Sequence, residues 1–182
     1  MLSAFTKRRR RERGFSLLEM MFATIILLVG LVAIAQLVPA SILLNFRNRN
    51  DSTALVFAQR ELDQMLAQPL NPPGNPPSFI NAEGKTCYLG DPTQPNTRIG
   101  SPVVTINDQA HIDFSAATGT ANYSFTYADP ADPSGTMYDI RWAVIITGNS
   151  TRVFSKRFIL GVQQKTGNGY FQPITLDTMV EK

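Results

Sequence analysis

"RRRRERGFSLLEMMF", residues 8–22, runs five arginines and a glutamate into a glycine and a phenylalanine, then sets a second carboxylate, Glu19, inside an apolar run. From Phe15 to Val38 there are 24 residues, and Glu19 is the only ionisable one; Ser16, Thr24 and Gln36 are the other polar side chains. As a helix rising 1.5 Å per residue the run measures roughly 36 Å, enough to cross a hydrocarbon core of about 30 Å. Basic residues in front of such a segment hold the N-terminus in the cytoplasm and send the rest of the chain across.

The charge distribution agrees with that reading. Of 17 Lys and Arg, six lie at positions 7–13 with only Glu12 of the 14 acids among them, which leaves 11 bases against 13 acids from Phe15 onward. The basic pI of 9.2 therefore belongs to the leader, and no nucleic-acid partner is expected. Cys87 is the only cysteine, so no intrachain disulfide can form in any compartment.

Three ordinary kinds of segment compete for residues 8–38. A cleavable secretory signal also begins basic and turns apolar, and Ala33-Ile34-Ala35 imitates its small-residue cleavage site. A signal anchor needs no cleavage, and a twin-arginine signal would carry its phenylalanine closer behind the arginine pair. Glu19 separates these from a fourth possibility, because an ionised carboxylate inside a bilayer costs at least about 2.5 kcal/mol and persists only with a partner or a task.

Gly14-Phe15-Ser16-Leu17-Leu18-Glu19 after a short basic leader resembles the class III signal of type IV prepilins and pseudopilins. The resemblance is carried by residues 8–40; beyond them it is one of architecture alone. It implies cleavage between Gly14 and Phe15 by a prepilin peptidase, N-methylation of Phe15 by the same enzyme, and retention of the apolar helix. It further implies that Glu19 pairs with the terminal amine of a neighbouring subunit and so fixes assembly register. The implied partners are the peptidase, other pilin or pseudopilin subunits, an inner-membrane assembly platform and, before assembly, membrane lipid. The implied location is the bacterial inner membrane, with a single pass and the globular part outside, and then a filament. Within the family, "FSLLEMMFATIILLVGLVAIAQ" and the lack of a C-terminal cysteine pair resemble minor pilins and pseudopilins more than major pilins. The segment divides into a leader at 1–14 and a long helix at 15–68, membrane-spanning over 15–38.

Pro39 removes a helix hydrogen bond and predicts a kink. "NFRNRNDST" (45–53) disfavours helix locally, and Arg47 and Arg49 there read as a solvated pair. Leu55, Ala58, Leu62 and Met65 then recur at helical spacing, a stripe on which a sheet can pack. Five prolines in "QPLNPPGNPPSF" (68–79) end the helix, and residues 69–100 read as a stiff linker and irregular loop.

From 101 to 182 the period is two, as expected of an antiparallel β domain. "PVVTIND" and "HIDFSAA" pair around Asn107-Asp108. Tyr123, Phe125 and Tyr127 share one strand face; Tyr138, Ile140, Trp142, Val144 and Ile146 share another. Gly148-Asn149-Ser150 turns the chain into "RVFSKRFILGV", and an edge strand is expected around Ile174. The fold class is α+β, a long helix on a four- or five-stranded antiparallel sheet, pilin-like.

No constellation for chemistry stands out, so no enzyme and no cofactor are expected. His111 reads as an exposed strand-end residue and Cys87 as a buried small hydrophobe. Asp129, Asp132 and Asp139 in "ADPADPSGTMYD" are oxygen ligands of the type calcium takes, but Asp-Pro and Ser-Gly are also what a turn uses, and the turn is preferred. Two other functions remain open: a binding, adhesive or DNA-uptake tip subunit on a pilin-like stalk, and an anchored envelope enzyme pairing Cys87 with His111.

Overall fold

The computed structural model describes residues 15–128, 130, 135–149, 152–166, 169–170 and 172–181. The chain divides into two units, Met1–Phe46 and Arg47–Lys182. Helix α1 spans Leu17–Ala67 and runs without a break through Pro39 and the asparagine-rich stretch. The local propensity against helix at 45–53 is overridden, with Ser52 and Thr53 hydroxyls folded back onto the Asn48 and Arg49 carbonyls at 2.8 and 2.9 Å.

In the second unit α1 is covered through Ala54, Phe57, Ala58, Glu61, Leu62 and Met65. Of the expected stripe Ala58, Leu62 and Met65 are buried while Leu55 is 37 % exposed, and Ala54, Phe57 and the carboxylate Glu61 widen it. The strands are β1 (Ser78–Ile80), β2 (Thr86–Tyr88), β3 (Arg98–Gly100), β4 (Val103–Ile106), β5 (Gln109–Ile112), β6 (Ser124–Ala128), β7 (Met137–Gly148), β8 (Val153–Thr166), β9 (Gly169–Tyr170) and β10 (Ile174–Glu181).

β7 and β8, 12 and 14 residues long, pair antiparallel and form the centre of a six-stranded sheet. Each outer flank is composite. β7 carries β6 against Met137–Arg141 and β3 against Ala143–Ile145, while β8 carries β10 against Ser155–Val162 and β9 against Lys165–Thr166. The sheet thus exceeds the expected four or five strands because short segments share the flanks of two long ones.

Tyr138, Ile140, Trp142, Val144 and Ile146 are buried on one face with Phe158, Leu160 and Val162 of β8, in one core with the α1 stripe and Tyr123. Phe57 meets Tyr138 and Tyr127 edge to face, each at 4.9 Å between ring centres. The opposite face is covered as well, by the β4–β5 hairpin, whose Ile112 packs on Ala143 and Ile159. Asn107 and Asp108 both have positive φ, the hairpin turn their sequence predicts. Gly161 makes room for this cover, since a Cβ there would lie 2.7 Å from the Ile112 Cβ.

Residues 69–100 are not an extended linker. Leu70, Cys87 and Leu89 are buried in the main core, β1 pairs with β2, and β3 joins the sheet ahead of residue 101. The Trp142 indole donates to the Tyr88 carbonyl at 2.9 Å, which ties this segment to β7. At Gly100, φ is 122° and a Cβ would sit 2.6 Å from the Trp142 carbonyl oxygen, so glycine is needed where β3 ends beside β7.

Lys156 lies between Ile146 and Val180 in the sheet, only 2 % exposed, and its ammonium has no hydrogen-bond partner among the described residues. Burial lowers its pKa to about 8. Below that pH both folded and unfolded chains carry the proton, and the buried charge destabilises the fold; between about 8 and 10.4 only the unfolded chain holds it, so the contribution of Lys156 to stability rises with pH. Lys156→Met should therefore stabilise the chain at pH 7 by about 3 kcal/mol and abolish that rise. Urea unfolding in detergent, followed by the fluorescence of Trp142, checks both; equal stability of variant and parent at pH 7 would contradict it.

Candidate functional site: the apolar N-terminal segment

Ser16 precedes α1 and its carbonyl accepts the Met20 amide at 3.1 Å, the first bond of the helix. Glu19 is the acidic residue of the first turn, where the amide dipoles favour negative charge. The apolar stretch Leu17–Asn45 is 29 residues long, about 44 Å at 1.5 Å per residue, and long enough to cross a membrane. Its leucines, isoleucines and valines are exposed all round, as suits a helix solvated by lipid or by other apolar helices.

The hydroxyls inside this stretch are self-satisfied. Thr24 Oγ1 donates toward the Met20 and Met21 carbonyls at 3.0 and 2.9 Å, and Ser41 Oγ toward Val38 at 2.9 Å. Glu19 cannot donate to a carbonyl, because a carboxylate accepts only, and although it lies in the first turn near the helix's free amides it bonds to none of them among the described residues. Among the described residues it has neither an ion-pair nor a hydrogen-bond partner. Phe15 is 80 % exposed ahead of the helix. Pro39 lies within the helix, and Gly14 lies outside the described residues.

The other candidates do not converge. Cys87 is fully buried in the core against α1, where burial, then Glu61 and Glu83, push its thiol up to about 12. His111 sits on β5, on the hairpin that covers the opposite face of the sheet, paired across to Val104. A Cys87–His111 dyad is not formed. Tyr123, Phe125 and Tyr127 pack in or against the core instead of standing free to stack on a ligand.

Asp139 is not in a turn: it is the third residue of β7, buried, and accepts from Arg141 Nε and Nη2 at 3.1 and 2.9 Å, with Lys165 Nζ at 3.1 Å. Two cations already satisfy it, and no metal-ligand cluster exists among the described residues. Asp129 and Asp132 lie outside them. Arg141 also donates to the Asp113 and Ala116 carbonyls at 3.4 and 2.8 Å, pinning the loop after β5 to the sheet.

Sequence reasoning missed a cluster on α1. Glu61, fully buried, accepts from Asn81 Nδ2 at 3.1 Å, Gln64 Nε2 at 3.3 Å and Arg60 Nη2 at 3.3 Å, while Arg60 also pairs with Glu83. Burial raises the Glu61 pKa and the Asn81 bond pulls it back. The periodic spacing of Ala54, Ala58, Glu61 and Met65 was the available signal, and it was masked by the expectation that a charged residue faces water.

From the Cys87 environment, a disulfide-exchanging thiol reagent at pH 8 should label the folded chain at least about a thousandfold more slowly than the urea-unfolded chain. Comparable rates would show that the thiol is accessible.

No curated protein and no solved structure shows significant similarity to the chain. The prokaryotic N-terminal methylation motif matches residues 9–35, which takes in Gly14, Phe15 and Glu19 and the apolar helix as far as Ala35. The motif implies a prepilin peptidase substrate that assembles with other pilin subunits, and together with the apolar helix and the α+β domain it supports a membrane-anchored, type IV pilin-like protein.

Proposed function

We propose that the chain is a minor pilin or type II secretion pseudopilin, a non-enzymatic subunit stored in the bacterial inner membrane with its N-terminus cytoplasmic and its β domain outside. In this reading a peptidase cuts after Gly14, methylates the Phe15 amine and leaves the apolar helix intact. An inner-membrane platform then draws the subunit into a filament, with apolar helices at the axis and β domains at the surface. The single observation that carries the proposal is Glu19: the one ionisable side chain among 24 apolar-segment residues, without a partner among the described residues, at a fixed distance from the cleavage motif.

The chemistry of the pairing is direct. Cleavage creates a cationic amine where none existed, and a neighbour's Glu19 carboxylate, buried in hydrocarbon, gains a charge-assisted bond that no water competes for. Neither ion is then left alone, the condition under which a buried pair is tolerated.

Mass spectrometry of protein from its native host should find a mature chain beginning at N-methyl-Phe15. Glu19→Ala should be inserted and cleaved normally but be recovered in filaments at a level at least about tenfold lower, the effect of losing one charge-assisted contact of order 1.5 kcal/mol per subunit. A retained arginine leader, or undiminished incorporation of Glu19→Ala, would overturn the reading.

A further inference from the structure

The sheet edge at β6 is open, and its backbone polarity is fixed by the ladder. The Trp142 amide donates to the Tyr123 carbonyl at 3.0 Å, and the register continues as Ser124 opposite Arg141 to Ala128 opposite Met137. In an antiparallel pair the bonded residues alternate, so Tyr123, Phe125 and Tyr127 direct their amides and carbonyls to β7, and Ser124, Thr126 and Ala128 direct theirs away from it. One residue earlier, the outward Asn122 carbonyl is already taken, by the Tyr88 amide of β2 at 3.0 Å. Past that bond no strand pairs with β6 on this side among the described residues.

The space so opened is a groove of about 510 Å³. Ala82, Glu83 and Lys85 at the β1–β2 turn form one wall; Thr126, Ala128 and Pro130 form the other. Its α1 side holds Arg60, whose guanidinium lies 5.2 Å from the ring centres of both Phe57 and Tyr127 and binds Glu61 and Glu83 through Nη2. Glu83 is thus paired with Arg60, whereas Lys85 is exposed and has no ion-pair partner among the described residues. The groove therefore carries one uncommitted positive charge. The opposite edge of the sheet, β10, carries Asp177 and Glu181, charges that discourage a further strand; β6 carries none between Ser124 and Ala128.

We infer that this groove is a strand-addition site for an extended peptide segment bearing a carboxylate, whose backbone completes the ladder at Thr126 and Ala128 and whose acid is held by Lys85 beside Arg60. Backbone bonds supply affinity and the unpaired Lys85 supplies selection among sequences. The site lies wholly in the second unit and does not depend on the filament reading.

The test uses the full chain in detergent micelles, with the capped pentapeptide Thr-Val-Glu-Val-Thr as probe and its Lys-for-Glu counterpart as comparison. Saturating acidic peptide should slow amide hydrogen exchange at Thr126 and Ala128 by at least about tenfold, and the basic peptide should bind about tenfold more weakly. Lys85→Glu, at an exposed position, should reverse that preference. Thr126→Pro, which removes an outward amide at a strand edge where proline is accepted, should abolish protection at Ala128 with Trp142 fluorescence unchanged. Absence of slowing with the acidic peptide, or a preference that Lys85→Glu does not alter, overturns the inference. So does protection that grows with protein concentration alone, which would assign the edge to a second copy of the chain.

Discussion

Placing a carboxylate among hydrocarbon side chains, with no group among the described residues bound to it, is the constraint to which the N-terminal half answers. The two hydroxyls within the apolar helix, on Thr24 and Ser41, find acceptors one turn back, because a hydroxyl can donate to a helix carbonyl. A carboxylate has no such recourse. The charge must stay near water, lose itself by protonation, or meet a cation brought by another molecule, and only the last gives a reason to keep the residue within a methylation motif. In the proposed reading, the bond that organises this half of the protein is therefore one that a single chain cannot make.

The β domain solves its own problem within the chain. With one cysteine it has no disulfide to restrain the unfolded state, so it relies on burial. Two long strands supply this by being covered on both faces, by α1 on one and by the β4–β5 hairpin on the other. The second cover brings polar groups inside with it, and Arg141 resolves them by binding Asp139 and two loop carbonyls at once. Removing either ion of that pair would leave a buried charge, which is costlier than never having had the pair.

The strongly periodic elements were legible in the sequence: the apolar helix, the alternation from Tyr138 to Ile146, and the Asn107-Asp108 turn that only one hairpin geometry accepts. What escaped is physical in kind. β1, β2 and β3 have three residues each, too few for alternation to show, and the prolines around them read as linker. The Asp-Pro dipeptides suggest a turn for Asp139 although it also falls within the alternating run that begins at Met137, and its buried site is set by Arg141 two residues on and Lys165 on the next strand. A local reading of β7 cannot see a cation that arrives from β8. The candidate site at Phe15 and Glu19 was visible for the opposite reason: its signal is a fixed spacing within one short segment.

The helix carries two carboxylates in need of partners, and the contrast between them shows how assembly can be written into one element. Glu61 is buried in a folded domain, where Asn81, Gln64 and Arg60 reach it from the same chain, so its cost is met when the domain folds. Glu19 sits 42 positions earlier on the same α1, in a stretch whose exposed side chains are all but uniformly apolar. If Glu19 had a partner like Asn81 nearby, the monomer would be content in the membrane and nothing would favour its leaving. Leaving it unpaired raises the free energy of the isolated subunit relative to any assembly that supplies a cation, and differential stabilisation of that kind is what drives an equilibrium toward one state. A carboxylate poorly placed for a monomer is thus well placed for a filament subunit.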